Sequence, residues 1–355
     1  GYLHPLAEGG FLVVCAVGSY ASIRRRSASA WVGKWVGSLV SLPKRLAIYL
    51  RGPEQVPCVA WLCLCCVIAV GALAEPSTLF DSLAYHLPMV VEWAQNGWLT
   101  EFYLPMADYA NSYFPGSGHL LYLWSFSILR SDLLVNLTNF GLWGLTGIAL
   151  AFVLREVGVR PSLTRSLPVI FLLTPVALSQ AVDQSLDLAG VAFFLLAFGY
   201  LTKLGRSGRV SHAVLCGTAL GCTLGTKYSG PAYVVVLAAT SSIRLATLSK
   251  KQPLRRSLAL AASAILPMIG LGGFWYLRNY VLTGNPVFPM SLAFLGHTIF
   301  PGQEHALWDS TRLWNYLADV GVLVGVSGAF FRSYGAVAAL VLPAGASVFV
   351  ARLVR

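Results

Sequence analysis

Apolar runs that reach, or nearly reach, the length of a bilayer-crossing helix recur along the whole chain. A crossing helix needs roughly 20 apolar residues. Of the 355 residues, 56% are hydrophobic and 11% are charged, and the mean hydropathy is +0.68; an average soluble domain has about 25% charged residues. The sequence therefore predicts an all-α fold, a polytopic membrane helix bundle of about 10 to 11 spans or half-spans in a single transmembrane domain over residues 1–355.

The apolar runs give a set of candidate spans. They lie at about 3–23, 57–74, 117–130, 133–154, 166–182, 185–202, 211–225, 229–247, 258–277, 316–331 and 335–351. Several are short for a full crossing, so we expect some of them to be re-entrant or interfacial half-helices. The chain begins at Gly1 and ends at Arg355 directly after an apolar run, as expected of a piece cut from a longer chain.

The net charge of +11 is spread over short loops between apolar runs, and this pattern orients membrane proteins with basic loops inside. We therefore expect no nucleic-acid partner. The connection over 24–56 is strongly basic and is predicted to be cytoplasmic, with an amphipathic stretch on the inner membrane surface. The segment between Arg51 and Arg130 contains no Lys or Arg, so it is predicted to face outside.

One basic loop conflicts with this alternation. Arg155, Arg160 and Arg165 indicate a cytoplasmic loop, yet two full crossings after the outer loop would return the chain to the outside. Either the 117–130 run is a half-helix, or the 155–165 loop breaks the charge rule.

The outer loop over 75–118 is too polar to span a membrane and too aromatic for a slack linker. Pro88 suits the first turn of a helix, and Gly97 suits its end, so a short helix is predicted over about 88–96. Asp81 and Tyr85 are four positions apart, so a helical turn would place them on one face.

The string Asp81-Ser-Leu-Ala-Tyr85-His86-Leu-Pro88, followed by Trp93 and Gly97, resembles the first external loop of the GT-C glycosyltransferases. The likeness is to the branch of protein mannosyltransferase-like and aminoarabinose transferase-like enzymes (families 39 and 83). In that family an acid just after a membrane span begins this loop and lies at the catalytic centre.

Three later stretches also resemble this family. They are Asp187-Leu-Ala-Gly-Val-Ala-Phe-Phe, Gly225-Thr-Lys227-Tyr-Ser-Gly, and Trp275-Tyr-Leu-Arg278-Asn279-Tyr running into Gly284-Asn285-Pro286-Val-Phe-Pro289. They correspond to a second acidic position at the head of a span, a Lys-containing turn between helices, and the start of a late external loop, here 278–315. One departure is that an additional span precedes the one that leads into the signature loop.

The resemblance implies transfer of a sugar, with inversion, from a polyprenyl-phosphate donor to a lipid, glycan or protein acceptor outside the membrane. Such transfer requires a carboxylate that takes the acceptor proton and a cation or metal that stabilises the leaving phosphate. We expect Asp81 to be the general base and Asp187 a second catalytic acid. Tyr85, His86, Lys227 and Arg278 are the expected substrate-binding residues. Metal dependence varies in the family; if a divalent metal binds, Asp81, Asp187 and His86 are its candidate ligands.

Plainer roles stay open for the same residues. Asp81 is also suited to cap a helix, and Asp187, together with Asp183, to cap the helix that starts near Ser185. Lys227 and Arg278 stand at span ends, where cations commonly extend to the interface. His119 borders the outer loop, and an ordinary polar role is the simpler one for it.

Two other functions fit a multi-span chain. An O-antigen polymerase or ligase also acts outside, but such enzymes tend to rely on external Arg residues, which the outer loop lacks. A transporter or flippase of a lipid-linked saccharide predicts matched, broken helices and a midplane site, and no convincing repeat is found. The expected location is a bacterial inner membrane, with the site facing the periplasm.

Overall fold

The computed structural model describes residues 55–99, 101–102, 104, 109–239, 253–294 and 297–303, together with residue 40. The predicted spans at 3–23, 316–331 and 335–351 lie outside these residues, as do the 24–54 part of the basic connection and residues 304–315 of the late loop. Within the described residues the chain is mostly helical, which confirms the predicted class. Its only described sheet is the antiparallel hairpin of β1 (Leu292–Phe294) and β2 (His297–Phe300).

The α-helices follow one another in short steps. They are α1 Gln55–Ala74, α2 Leu87–Asn96, α3 Ser117–Leu129, α4 Val135–Glu156, α5 Pro161–Leu172, α6 Pro175–Ser179, α7 Asp187–Ser207, α8 Val210–Thr226, α9 Gly230–Ala239 and α10 Leu254–Thr283. A π-helical turn at Ser82–His86 leads into α2, and 3-10 turns lie at Tyr109–Tyr113 and Asp132–Leu134.

Three of the described helices are long and apolar enough to cross a membrane. They are α4 with the turn before it (Asp132–Glu156), α7, and the 30-residue α10. The helices α1, α8 and α9 are apolar but shorter in their described extent. Length and composition therefore support a membrane protein.

The predicted span at 166–182 is wrong as one continuous helix, because the chain breaks between α5 and α6. Thr174 adopts an extended conformation with ψ of 145°, and Pro175 starts the next helix. Proline disfavours helical geometry in the residue before it and lacks an N–H to continue the ladder. The result is a 12-residue helix followed by a 5-residue helix.

The helices α4, α7, α8 and α10 pack side by side in that order. The contact between α8 and α10 is made by small residues, because a Cβ added at Gly217 would overlap the Ala264 carbonyl oxygen, and one added at Gly221 would lie 2.9 Å from the Met268 carbonyl oxygen. Close backbone approach at small residues is the usual way in which helices associate in lipid. It places the end of α8 against α10, where the Tyr276 hydroxyl donates to the Leu224 carbonyl at 3.1 Å.

The two ends of this layer differ in charge. At one end Glu156 accepts from Lys203 and Arg206, each at 3.3 Å, and Arg256 donates to the Gly208 carbonyl. Asp187 and Lys227 lie at the other end, because α7 begins and α8 ends there. We call these the basic end and the acidic end.

This arrangement answers the conflict over the 155–165 loop. Arg155 closes α4 beside Glu156, so it lies at the basic end with Lys203 and Arg206. The helix α3 spans 13 residues, or about 20 Å, which is short of the about 30 Å of hydrocarbon. Its first turn contacts the acidic end through Ser117, and α4 starts again near that end. The length of α3 therefore favours the half-helix alternative for 117–130.

Candidate functional site

Asp81 lies at the exposed start of the π-helical turn that opens the outer loop. It makes no cap hydrogen bond of its own to the turn, with backbone angles of −60° and −37°. Its carboxylate lies close enough to Tyr85 to help raise the pKa of that phenol. The predicted proximity of Asp81 and Tyr85 is confirmed.

Tyr85 connects the two predicted catalytic acids. Burial raises the pKa of its phenol first, followed by the charge and hydrogen bond of Asp81 and then by the charge of Asp187. Each of these effects disfavours the phenolate. The Tyr85 hydroxyl therefore stays protonated and can donate a hydrogen bond near the carboxylates of Asp81 and Asp187.

The helix α2 holds this turn against the bundle. It ends, as predicted, at Gly97, which has a left-handed φ of 71° and donates its N–H to the Trp93 carbonyl. Met89, Val90 and Trp93 are fully buried, whereas Ala94 on the same predicted face is exposed. Burial of these three side chains fixes the direction in which the turn at 82–86 points.

Asp187 and Lys227 form an ion pair at the acidic end, with 2.5 Å between Lys227 Nζ and Asp187 Oδ1. Asp187 is the first residue of α7, and its other oxygen accepts from Ser185 at 3.2 Å and from Gln180 at 3.4 Å. The Asp187 side chain is 56% exposed, so it is open to a ligand. The charge of Lys227 also reaches His86.

Asp183 has a different environment from Asp187. It is 4% exposed, and its Oδ2 accepts the backbone N–H groups of Thr78 and Leu79, both at 2.7 Å. Burial alone would raise the pKa of this carboxyl, but the Ser82 hydroxyl and the N–H groups of Thr78, Leu79 and Gln184 together lower it. Asp183 therefore does not cap α7, one of the alternatives weighed for it; it binds the backbone of the outer loop.

Two asparagines in the first two turns of α4 hold the segment that carries Asp183 and Asp187. Asn139 donates to the carbonyls of Gln180, Asp183 and Ser185 and accepts from the Tyr122 hydroxyl at 2.5 Å. Asn136 accepts from the Gln184 side-chain amide and donates to the Glu75 carbonyl at 3.2 Å.

His86 points away from solvent and is paired with His119. Their ring atoms Nδ1 and Nε2 lie 2.7 Å apart, and both side chains are at most 2% exposed. The pKa of His86 is lowered well below its usual value, first by burial and then by the nearby His119 and Lys227. Trp93 and Tyr122 pack edge-on against this pair. His86 therefore acts as a neutral support beneath Tyr85, whose ring is 4.2 Å away.

Arg278 lies in the last turns of α10, next to the 3-10 turn of the outer loop. Its guanidinium stacks on Trp275 at 4.9 Å and donates to the Ser112 carbonyl and the Asn279 side chain. Its Nη1 is buried and has no hydrogen-bond partner among the described residues. Trp275 in turn stacks on Trp93 of α2 at 5.7 Å, so two stacked tryptophan rings connect Arg278 to the helix that follows the Asp81 turn.

The predicted site residues therefore form one surface patch and one supporting layer. The patch contains Asp81, Tyr85, Asp187 and Lys227, and the layer contains His86 and Arg278. In the described part of the chain, no group of three or more His, Cys, Asp and Glu side chains is arranged to hold a metal. The described residues thus do not fit a metal site made by protein ligands alone.

Comparison with known proteins adds no relative to this geometry. No protein-family model matches the chain, and no curated protein matches it. The site is therefore interpreted from its own residues.

Sequence reasoning missed the asparagines that hold the site residues in place. Asn136 and Asn139 are three apart in an apolar run, and polar side chains there are costly unless they are bonded. Two asparagines in an apolar run therefore indicate buried hydrogen bonds, and this could have been inferred from the sequence. Asn279 gives a weaker signal of the same kind. Its side-chain amide donates to the Tyr228 hydroxyl at 2.7 Å and to the backbone carbonyls of Tyr113 and Phe288.

Proposed function

We propose that this chain is a membrane-embedded glycosyltransferase of the GT-C type. It transfers a sugar from a polyprenyl-phosphate donor to an acceptor hydroxyl at the external face of the membrane. The observation that carries the proposal is the patch at the acidic end, where the charges of two exposed carboxylates both raise the pKa of Tyr85 and one of them, Asp187, pairs with the Lys227 ammonium group.

In the proposed reaction Asp81 accepts the proton of the acceptor hydroxyl, while the acceptor oxygen forms a bond to the anomeric carbon. The bond from that carbon to the phosphate oxygen breaks, and the electron pair leaves with the polyprenyl phosphate. A general base positioned in this way contributes about 10²- to 10⁴-fold. Inversion follows from a single displacement and is what the family resemblance implies.

Lys227 and Arg278 are the proposed partners of the phosphate. Lys227 is 31% exposed and already holds an anionic oxygen, that of Asp187. Arg278 Nη1 is a buried donor without a partner among the described residues, and such a donor favours an incoming acceptor. Asp187 is proposed to hold Lys227 in place before the donor binds.

The position of the patch favours an enzyme over a transporter. Asp81 precedes a turn, Asp187 starts α7 and Lys227 follows α8, so all three stand at ends of elements. A transporter site is expected near the bilayer midplane. By the charge rule the basic end opposite the patch is expected to be cytoplasmic, which supports a patch on the outer face. The proposed location is a bacterial inner membrane, with the site facing the periplasm.

The test is sugar transfer by membranes that contain the chain, given a panel of radiolabelled polyprenyl-phosphate hexoses and pentoses. Asp81→Asn is compared with the wild type, and Glu92→Gln is the matched control, because Glu92 lies in α2 and only accepts from Asn96 at 2.7 Å. We expect the first variant to lose transfer and the second to retain it.

Undiminished transfer by a folded Asp81→Asn variant would remove Asp81 from the mechanism. Movement of labelled lipid across vesicles without any transfer by the wild type would contradict the enzyme assignment and favour a flippase.

A further inference from the structure

We infer that Asp183 is the positioning residue for Asp81. Its buried carboxylate accepts the two backbone N–H groups that directly precede the helical turn containing Asp81, a contact that we call the cap, and thereby fixes where the Asp81 carboxylate stands. The inference rests on the proposed function only in treating Asp81 as the base. The cap itself depends on contacts that are independent of that role.

A helix start leaves its first N–H groups without intrahelical partners. Here the helical ladder opens with the N–H of Leu83 on the Leu79 carbonyl at 3.2 Å, so Leu79 is the N-cap residue. The N–H groups of Leu79 and of Thr78 just before it therefore lie outside the ladder. Asp183 Oδ2 accepts both at 2.7 Å. An Asp side chain is a favoured cap, but this one comes from 105 positions away along the chain.

Gln184 forms hydrogen bonds to residues on both sides of Asp81. Its backbone carbonyl accepts from the Ser82 hydroxyl at 2.7 Å, and its side-chain oxygen accepts from the Ser77 hydroxyl at 2.5 Å. The dipeptide Asp183–Gln184 therefore binds the residues before Asp81 and the residue directly after it. Asp81 itself is exposed and receives none of these bonds, so its backbone is fixed while its carboxylate remains open.

The two neighbouring acids in this turn are therefore assigned different tasks. Asp183 is 4% exposed, and both its oxygens accept N–H groups, which leaves it no approach to a substrate. Asp187 has a side chain that is 56% exposed and pairs with Lys227. A shift of about 1 Å in a reacting group costs about 100-fold in rate, so loosening the cap should reduce turnover without removing a substrate contact.

The experiment compares Asp183→Asn with Asp187→Asn in the full chain, reconstituted in lipid nanodiscs. Hydrogen exchange reports on the backbone over 77–86, and steady-state transfer from a radiolabelled polyprenyl-phosphate sugar reports on kcat and KM. In Asp183→Asn we expect exchange over 77–82 to accelerate about tenfold or more. We also expect kcat to fall by about 100-fold with KM for the donor little changed. In Asp187→Asn the exchange should match that of the wild type.

Unchanged exchange over 77–82 in Asp183→Asn overturns the cap. Faster exchange with unchanged kcat overturns the positioning role. Faster exchange in a chain whose wild type shows no transfer keeps the cap and rejects Asp81 as base, so failure of the proposed function is distinguishable.

A milder variant covers the case in which Asp183→Asn does not insert. Ser82→Ala removes the hydroxyl that donates to the Gln184 carbonyl and helps to lower the pKa of Asp183. It should shift exchange and kcat in the same directions by smaller factors, and no shift in either contradicts the inference.

Discussion

Lys227 Nζ lies 2.5 Å from Asp187 Oδ1, which ties the end of α8 to the start of α7 across 40 positions of sequence. The Lys227 and Asp187 side chains are 31% and 56% exposed. Because water screens such a pair, it contributes about 0–1 kcal/mol to stability. The pair is therefore better suited to exchange partners with a substrate than to hold the helices together, and a donor phosphate would compete with Asp187 for the same ammonium group.

Replacing Lys227 should separate its role in binding the donor phosphate from any role in stabilising the fold. We expect Lys227→Gln to lower transfer from the polyprenyl-phosphate donor by about 10²- to 10³-fold, because one positioned cation is lost from the leaving phosphate. The free energy of unfolding should change by less than about 1 kcal/mol. Initial rates and thermal unfolding in detergent measure the two quantities. The matched control is Lys203→Gln, which breaks a 3.3 Å pair with Glu156 at the basic end and should leave transfer unchanged. Equal losses in both variants would contradict the assignment.

Elements with local signals were predictable from the sequence. The helix α2 runs over Leu87–Asn96 against a predicted 88–96, because Pro88 and Gly97 mark its ends within the stretch itself. The placement of Asp187 at the head of α7 and of Lys227 at the end of α8 follows in the same way from the edges of apolar runs.

Features that depend on contacts distant in sequence were not predictable. Asp183 was weighed as a cap for the helix beside it, but its partners are the N–H groups of Thr78 and Leu79 in another segment. His119 was assigned an ordinary polar role, yet it is buried against His86. Neither partner leaves a trace in local periodicity, because a hydrogen bond across 33 or 105 positions changes no nearby spacing.

Removal of the Tyr85 hydroxyl should slow transfer while preserving the packing of the site. In Tyr85→Phe the ring remains next to His86 and Phe114, at 4.2 and 6.4 Å, but the hydroxyl that would donate to the nearby Asp81 carboxylate is lost. Hydrogen bonds to charged groups contribute about 1.5–3 kcal/mol, so we expect kcat to fall by about 10- to 100-fold. Steady-state kinetics measure this, with Phe114→Leu as the packing control. A rate equal to that of the wild type would show that Asp81 does not need the hydroxyl.

The buried pair of His86 and His119 should make stability fall as the pH is lowered. The pKa of His86 is lowered by burial, by His119 and by Lys227, from an ordinary value of 6.5. Below about pH 6.5 the unfolded chain therefore binds a proton that the folded chain does not, and the folded state loses stability until the pH reaches the lowered pKa. The slope reaches at most about 1.4 kcal/mol per pH unit for one group.

Thermal unfolding between pH 7.5 and 4.5 measures that slope (the range brackets the ordinary pKa of about 6.5). His86→Gln should flatten it, because glutamine can pair with His119 but does not titrate. His297→Gln is the control, since His297 is exposed on β2 and has no buried contact to lose. An equal slope in the wild type and in His86→Gln would contradict the explanation.

The contact between α8 and α10 should be sensitive to a single methyl group. A Cβ at Gly217 would overlap the Ala264 carbonyl oxygen, whereas one at Gly270 meets no described atom within 4 Å. We expect Gly217→Ala to lower the free energy of unfolding by about 1–3 kcal/mol, because backbone cannot move aside as a side chain can. Gly270→Ala should be neutral or stabilise the helix by up to about 1 kcal/mol. Thermal unfolding in detergent compares the two variants.

Because α8 carries Lys227 at its end and α10 carries Arg278, Gly217→Ala should also lower transfer more than Gly270→Ala does. Indistinguishable stabilities for these two variants would mean that α8 and α10 do not approach as closely as Gly217 and Ala264 indicate.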